Sequence, residues 1–520
     1  MSKKKIIATR GSDLALWQAN HIRTLMEKIG ITCELNIILT KGDEIQHLSL
    51  EKLEGKGFFT KEIEDALLNN EADIAVHSHK DLPTESHPDL VIAAVSDRED
   101  PSEILIIRKE AVDSKQKFSL KKNASVGTSS SRRKSQLLAF RNDVVLTDLR
   151  GNVPTRVKKL REKMYDAILI ASAGVERLEL DLSDFHVVKL DPTEFIPAPA
   201  QGVLAIQIRK NDRKLFEKLQ AINNKETART VYIERKVLNL FHGGCHAPVG
   251  AYAEFDEDRE LFKVRACKAD AWNDIPVSVY VESKNAETIA AKIVSKIEGV
   301  QPASVFITRN LKAGDYFQHV LSSKGYHVTG RSLIEMVPLP MKHFPETDWI
   351  FFSSKHAVKF FFSQQPILGK QKFACIGKST AEAIRKFGKR ADFIGYSTDT
   401  RLTGKQFASL VGDGTVLFPQ AKGSLRSIQN GFVKDKQVID LTVYETLKKN
   451  EEKISPVEIL LFTSPSNVEA YFEKNKITAD QRVIAMGEAT GSTLRKFCNS
   501  SFSLSDSFDD AGLVRAVFSL

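Results

Sequence analysis

Cysteine is scarce in this 520-residue chain: there are five, an odd number, and none forms a CxxC pair. That argues against a disulfide framework or a cysteine-based zinc site and for a reducing compartment. Long apolar runs are missing too. No stretch of about 18 apolar residues exists, so no membrane span is expected. Met1-Ser2-Lys3-Lys4-Lys5 leads into a short strand without an apolar signal core or cleavage site, so a cytoplasmic protein is expected. No matched set of metal ligands appears. His77 and His79 stand two apart at a predicted strand end, where only one can face a shared site, so no metal is expected. Gly55-Lys56-Gly57 lacks the strand and Gly-x4-Gly-Lys-Ser/Thr context of a phosphate loop.

What is present is ordinary in amount and uneven in placement. The length exceeds one core and predicts three to five domains, at roughly 100–150 residues each. Hydrophobic residues make up 42% and charged residues 27%, typical of a globular chain. The net charge of +9 is concentrated. Residues 1–120 hold 16 basic and 21 acidic side chains, whereas residues 121–161 hold 11 basic and 2 acidic. Such a cluster means an anionic partner or a solvated face. Its arginines sit among Gly, Ser and Thr in turn-like settings, without the interleaved aromatics of a base-stacking platform. Small polyanions, carboxylates or phosphates, fit better than nucleic acid.

Short apolar runs alternate with helical periodicity, which reads as α/β. Helices are predicted over Leu14–Ile29, Lys61–Asn69, Thr227–Leu240 and Glu287–Ile297, and strands over Glu34–Leu39, Ala72–His77 and Ala167–Ser172; Ser125–Gly127 ends a further strand and Ser131–Phe140 begins a further helix. Residues 298–302 read as a linker. The part beyond it repeats itself. Phe352, Ser354, Val358, Phe362, Gly377, Thr380, Arg385, Lys386 and Phe387 recur 110 residues later as Phe462, Ser464, Val468, Phe472, Gly487, Thr490, Arg495, Lys496 and Phe497. Two similar α/β lobes follow from this, with turns at strand C-termini facing a cleft. Ser354, Thr380, Ser464 and Thr490 are then ligand contacts at helix N-termini, or helix caps only.

In the first 250 residues the polar motifs sit at predicted strand ends: Thr9-Arg10-Gly11-Ser12, His77–Pro83, Gly127–Arg133, Leu149–Arg156 and Pro197–Gly202, the last a crossover between lobes. Arginine forks suit carboxylates, and a Gly-Thr-Ser-Ser turn offers further anion donors. Asp81 stands beside Lys80 as a single carboxylate among cations, fit to stabilise a cationic intermediate or move a proton, or else to form a structural salt bridge. Gly243-Gly244-Cys245-His246-Ala247-Pro248 puts a cysteine behind two side-chain-free residues. That is the setting of a nucleophile or covalent attachment point, or of a turn ending in a buried cysteine.

Six ordered motifs resemble the hydroxymethylbilane synthase (porphobilinogen deaminase) family across residues 5 to about 297. They are Ala8–Ser12 with Leu14–Gln18, Gly55–Glu62, Ala75–Pro83, Val126–Arg133, Arg150–Arg156 and Gly243–Cys245. The remainder resembles uroporphyrinogen-III synthase in its repeat, in Phe462–Ser466 and in Val443–Thr446. The first resemblance implies two periplasmic-binding-protein-like lobes (1–99 with 193–218, and 100–192) and a small α+β cofactor domain (219–298). It also implies a dipyrromethane cofactor held by a thioether to Cys245, and four porphobilinogens joined with loss of ammonia into hydroxymethylbilane. Every pyrrole brings an acetate and a propionate. Asp81 would stabilise azafulvene and pyrrolenine cations. Arg10, Ser12, Lys80, Thr128, Ser130, Arg132, Arg133, Arg150, Arg156 and Arg177 match the family's binders of cofactor and substrate, and Lys52 and Lys56 lie on its active-site loop. Asp13 and His79 depart from the family's pattern.

The second resemblance implies two lobes (303–337 with 450–520, and 338–449) joined by two strands, closing hydroxymethylbilane with inversion of its last ring and no cofactor. Unaided closure gives the non-inverted isomer. Ser354, Thr380, Tyr444, Ser464 and Thr490 would face that cleft, with Tyr444 assisting loss of the terminal hydroxyl. A monomer acting on polycarboxylate pyrroles is expected. Two other classes remain in view: a non-catalytic anion-binding module in the N-terminal half, and a regulatory lobe pair in the C-terminal half.

Overall fold

The computed structural model describes residues 4–40, 60–242, 247–341, 343–395, 400–424, 426–432, 437–449 and 453–520. Cys245, Lys52 and Lys56 lie outside the described residues. Five sheets organise the rest.

The first two sheets share one plan. In the first, the parallel strands Cys33–Ile37, Lys5–Thr9 and Ile74–Ser78 lie side by side, followed by antiparallel Leu204–Arg209 and the edge strand Leu90–Val95. In the second, parallel Val145–Thr147, Ser125–Gly127 and Ala167–Ala171 are followed by antiparallel Glu103–Arg108 and edge strand Phe185–Leu190. The parallel strands of both sheets end at the motifs singled out in the sequence, because their crossover helices start there. Ser12 caps the helix Asp13–Lys28, Ser130 caps Ser131–Phe140 and Asn152 caps Val153–Arg161, each accepting an orphan backbone N–H. Asp13 thus occupies the first turn, where a carboxylate complements the helix dipole.

Two crossing segments join these sheets. Where they meet, Gly202 has φ of +87°, and a Cβ there would lie 2.4 Å from the Glu99 carbonyl oxygen, so only glycine fits. Glu234, fully buried, ties the crossing to the third sheet (Val249–Asp256, Leu261–Lys268, Val277–Ser283). It accepts from the Arg98 guanidinium at 2.6 Å, from the Ala200 amide at 2.7 Å and from the Ala253 amide at 2.8 Å. These bonds satisfy a charge that would be costly to bury alone.

The last two sheets realise the repeat. One orders His327–Gly330, Ser304–Ile307, Ile459–Phe462, Arg482–Ala485 and Ser503–Leu504; the other orders Ile334–Pro338, Val438–Lys448, Val416–Ala421, Trp349–Phe352, Lys372–Cys375 and Phe393–Ile394. Ser354 and Ser464 cap equivalent helices with nearly the same backbone angles (φ −158° and −163°). The stack of Phe362 on Phe387 (4.8 Å, 13°) is repeated by Phe472 on Phe497 (5.0 Å, 8°). One boundary moves. The sequence reading ends the first lobe at residue 337, inside the strand Ile334–Pro338. All partners of that strand lie on residues 444–448 of the second sheet, because the two connecting segments satisfy their backbone groups by pairing antiparallel with each other.

Candidate active site

The topology collects the N-terminal motifs. The strands Lys5–Thr9 and Ile74–Ser78 pair in parallel, so Arg10-Gly11-Ser12 and His79-Lys80-Asp81 leave the same edge of the first sheet. Gln18 donates to the Ser78 hydroxyl at 2.8 Å across this edge. On the second sheet the same logic brings Thr128–Ser130 next to Arg150, which follows the strand paired beside it.

Between these edges lies one electrostatic neighbourhood. Lys80 feels Asp81, Arg133, Glu103 and Arg132, while Arg156 feels Arg133, Arg150 and Asp81. Five cations thus share the space with two carboxylates. Burial draws the Lys80 ammonium down to about 8, with Asp81 opposing and Arg133 reinforcing that shift. Burial, followed by the like charges of Arg133 and Arg150, takes Arg156 down to about 10. Both groups are cations that the fold alone holds at a cost, which an incoming anion would relieve.

Each expected residue has a definite setting. Arg132 donates to the Ile196 carbonyl at 2.8 Å and to Glu103 at 2.6 Å; Arg133 lies 2.7 Å from the other Glu103 oxygen and donates to the Leu169 carbonyl at 3.2 Å. The Arg133 Nε is buried with no hydrogen-bond partner. Ser130 accepts from the Arg133 amide, and Thr128 accepts from the Ser130 amide. Lys80 donates to Gln201 at 3.2 Å, and Asp81 is exposed. Arg156 donates to the Gly151 carbonyl at 2.8 Å. Arg177 is bound to Glu99 at 2.7 Å and to the Gly202 carbonyl, and sits over the Trp17 ring. Much of the basic excess in 121–161 lies elsewhere: Lys121 pairs with Asp166, Lys134 with Asp148, Arg141 with Asp143 and Arg161 with Asp184.

Three contributors escaped the sequence reading. Glu103 is completely buried; burial alone would raise its carboxyl, but Arg133 and Arg132 hold it far below the usual range. Gln201 anchors Lys80. Arg235, from the helix Lys225–Leu240, donates to the carbonyls of His79, Leu82 and Pro83 and so fixes the turn that carries Lys80 and Asp81. Gln201 lies in the Pro197–Gly202 turn, read only as a crossover; Glu103 reads as one acid at a strand start and Arg235 as one cation on a helix.

A dipyrromethane with an acetate and a propionate on each ring is a compact polyanion. The residues fit it: an excess of cations, a capped helix N-terminus and an unpartnered buried Arg133 Nε lie in one electrostatic neighbourhood. The helix Lys225–Leu240 and the strand Val249–Asp256 flank the stretch containing Cys245.

In the C-terminal half, Tyr444 is 7% exposed and stacks on Phe360 at 5.1 Å, with Ser354 near its phenol. Burial raises its phenol, and the Ser354 contact works against that. Thr380 and Thr490 are buried, and the Thr490 hydroxyl donates to the Met486 carbonyl one helical turn back. The Ser354 hydroxyl accepts from the Ala357 amide at 3.1 Å, and the Ser464 hydroxyl accepts from the Asn467 amide at 3.3 Å.

Comparison with known proteins bears on this arrangement. Residues 6–217 match the family model described as porphobilinogen deaminase, dipyromethane cofactor binding domain. A porphobilinogen deaminase of Sulfurimonas denitrificans is 43% identical over 259 residues, which span 49% of this chain and 81% of that protein. The chain belongs to the porphobilinogen deaminase family. A probable porphobilinogen deaminase of Methanocaldococcus jannaschii is 40% identical over 297 residues, 57% of this chain and 94% of that one. Residues 315–515 match the model described as uroporphyrinogen-III synthase HemD. Among solved structures, a uroporphyrinogen-III synthetase from Helicobacter pylori covers 41% of this chain and 97% of its own at 18% identity and a TM-score of 0.32. Porphobilinogen deaminase and uroporphyrinogen-III synthase domains are therefore both present, the make-up of a bifunctional haem-biosynthesis enzyme whose first half carries the family's dipyrromethane-binding domain. Among the described residues, no helix is long and apolar enough to cross a membrane, and no His/Cys/Asp/Glu group could hold a metal.

Proposed function

We propose that residues 1–298 join four porphobilinogens into hydroxymethylbilane on a dipyrromethane attached to Cys245, and that residues 303–520 close the product to uroporphyrinogen III. The observation that carries this reading is the cation cluster around Asp81, with its strained Lys80 and Arg156. When bound, the dipyrromethane supplies the nucleophilic pyrrole from which the chain grows. The residues of this chain bind, orient and stabilise charge. Lys80, Thr128, Ser130, Arg132, Arg133 and Arg150 hold its carboxylates, and Arg10, Ser12, Lys52, Lys56, Arg156 and Arg177 hold those of substrate. Asp81 faces positive charge that develops as ammonia departs, where a fixed carboxylate favours the transition state over the ground state. In the second half, Tyr444 assists departure of the terminal hydroxyl; its stack on Phe360 orients the ring, and Ser354, Thr380, Ser464 and Thr490 complete the cleft. The five sheets correspond to three deaminase domains and two synthase lobes. The substrates are small pyrrole polycarboxylates rather than nucleic acid, and the protein works as a cytoplasmic monomer.

Intact mass of the purified protein tests the first half: a dipyrromethane adduct is expected, and Cys245→Ser should lack it. A normal adduct on that variant overturns the attachment site. Full-length protein given porphobilinogen should release mainly the III isomer. Release of the I isomer alone would make the C-terminal half a non-catalytic lobe pair.

A further inference from the structure

The segment 298–302 does not act as a free tether, because the two halves share a core. Ile289 and Ile293 from the helix Ala286–Glu298 belong to one buried apolar cluster with Val305, Phe317, Val514 and Phe518 of the C-terminal half. Polar contacts fix the register. Asp506, 1% exposed, accepts from Arg265 of the third sheet at 2.7 Å and from Arg515 at 2.9 Å. Ser519 accepts from the Tyr280 amide at 3.1 Å, and Lys324 pairs with Asp274 at 2.9 Å. Ions so buried are tolerable only in close geometry, which makes the contact specific as well as adhesive.

One contact reaches the deaminase cleft. The helix Ser131–Phe140 carries Arg132 and Arg133 at its start and Phe140 at its end. The Phe140 ring stacks on Tyr316, the first residue of the helix Tyr316–Ser323, with centroids 4.4 Å apart and planes 11° from parallel. On its other side Phe140 meets Phe118 edge-on and Phe195 face-on. Gln136, one turn earlier on the helix, exchanges hydrogen bonds with the backbone of Ile196, whose carbonyl also receives Arg132. A shift of Phe140 along the helix axis therefore moves the guanidinium frame at the other end, since a helix of ten residues transmits it as a rigid rod.

We infer that the first lobe of the synthase half is a docking partner of the deaminase half, and that Tyr316 is a positioning residue that seats the Arg132/Arg133 helix through Phe140. The consequence for activity rests on the binding roles given above to Arg132 and Arg133; the seating itself does not. The test uses the full-length holoenzyme with Tyr316→Ala and Tyr316→Phe. Hydrogen exchange of the amides in 131–140 is followed by mass spectrometry, and deaminase kcat and KM are measured on porphobilinogen. Tyr316→Ala should speed exchange in that helix about tenfold or more, as local opening becomes easier. It should lower kcat several-fold with the covalent adduct intact, because the dipyrromethane carboxylates held by Arg132 and Arg133 shift with the helix, and Tyr316→Phe, which keeps the ring, should restore both. Wild-type exchange in Tyr316→Ala overturns the docking role, as does failure of Tyr316→Phe to restore it. Faster exchange with unchanged kinetics supports the docking and counts instead against Arg132 and Arg133 as binders. If Tyr316→Ala does not fold, Tyr316→Leu carries the same readouts with volume largely kept.

Discussion

Replacing Glu103 by glutamine should weaken the cleft more than any surface change, while altering no shape. The carboxylate is fully buried between Arg132 at 2.6 Å and Arg133 at 2.7 Å. Two unit charges about 4 Å apart attract by about 4 kcal/mol at an effective dielectric of about 20, so the gross attraction to two guanidiniums is larger still. Much of it is spent on desolvating Glu103. Removing one partner of a buried pair typically costs about 3–5 kcal/mol, because the other charge stays buried and uncompensated. A glutamine oxygen still accepts one hydrogen bond, which sets the expectation near 3 kcal/mol, or roughly a hundredfold faster exchange of the amides in 131–140. The same comparison made in Cys245→Ser should give the larger loss, because carboxylates of the attached dipyrromethane would partly replace the missing charge. The pH dependence has a definite sign. Glu103 titrates far below its unfolded value, so its contribution is complete above about pH 4.5 and is lost only as pH falls through the folded value. The effect of Glu103→Gln should be constant from pH 5 to pH 8. Exchange within threefold of wild type, or an effect that fades between pH 8 and pH 5, would refute the reasoning.

Asp81→Asn should leave the fold and the adduct mass unchanged while lowering deaminase turnover on the order of a hundredfold or more, the usual worth of a preorganised charge; near-normal turnover reduces Asp81 to a salt-bridge partner. Lys80, drawn to about 8 before any anion is bound, should make loading of the apoprotein with dipyrromethane weaken above that pH, and Lys80→Met should abolish that pH dependence. In stability the sign is opposite: between about pH 8 and pH 10.5 the unfolded chain keeps a proton the native state has lost, so folding gains as pH rises, by about 3 kcal/mol in total. A flat stability difference between Lys80→Met and wild type across that window would contradict the burial. Tyr444→Phe keeps the stack on Phe360 and loses the hydroxyl, so porphobilinogen consumption should stay normal while product shifts from the III to the I isomer; unchanged isomer ratio removes Tyr444 from the chemistry.

The sequence alone determined the local chemistry. Strand-end motifs were legible because glycine, serine and arginine sit where a parallel strand gives way to a helix, and Ser12, Ser130, Ser354 and Ser464 do cap helices there. A helix does begin at Ser131, and the 110-residue repeat read as two similar lobes is matched by paired aromatic stacks. Tertiary structure decided which charges meet. Composition counted eleven basic side chains in 121–161, yet Lys121, Arg141 and Arg161 pair with acids away from Asp81, while Arg132, Arg133, Arg150 and Arg156 fall in one electrostatic neighbourhood with Lys80 and Asp81. That difference depends on which face of a helix or which end of a strand is covered, and so mostly on partners distant in sequence, such as Asp166 for Lys121 and Glu103 for Arg132. Glu103, Gln201 and Arg235 become part of the site only when the crossing segments and the third domain close around Lys80 and Asp81. The same holds for Tyr316 and Phe140, 176 residues apart in sequence and in ring contact in the fold. Hydrophobic burial sets such contacts without directional preference, so no local pattern announces them.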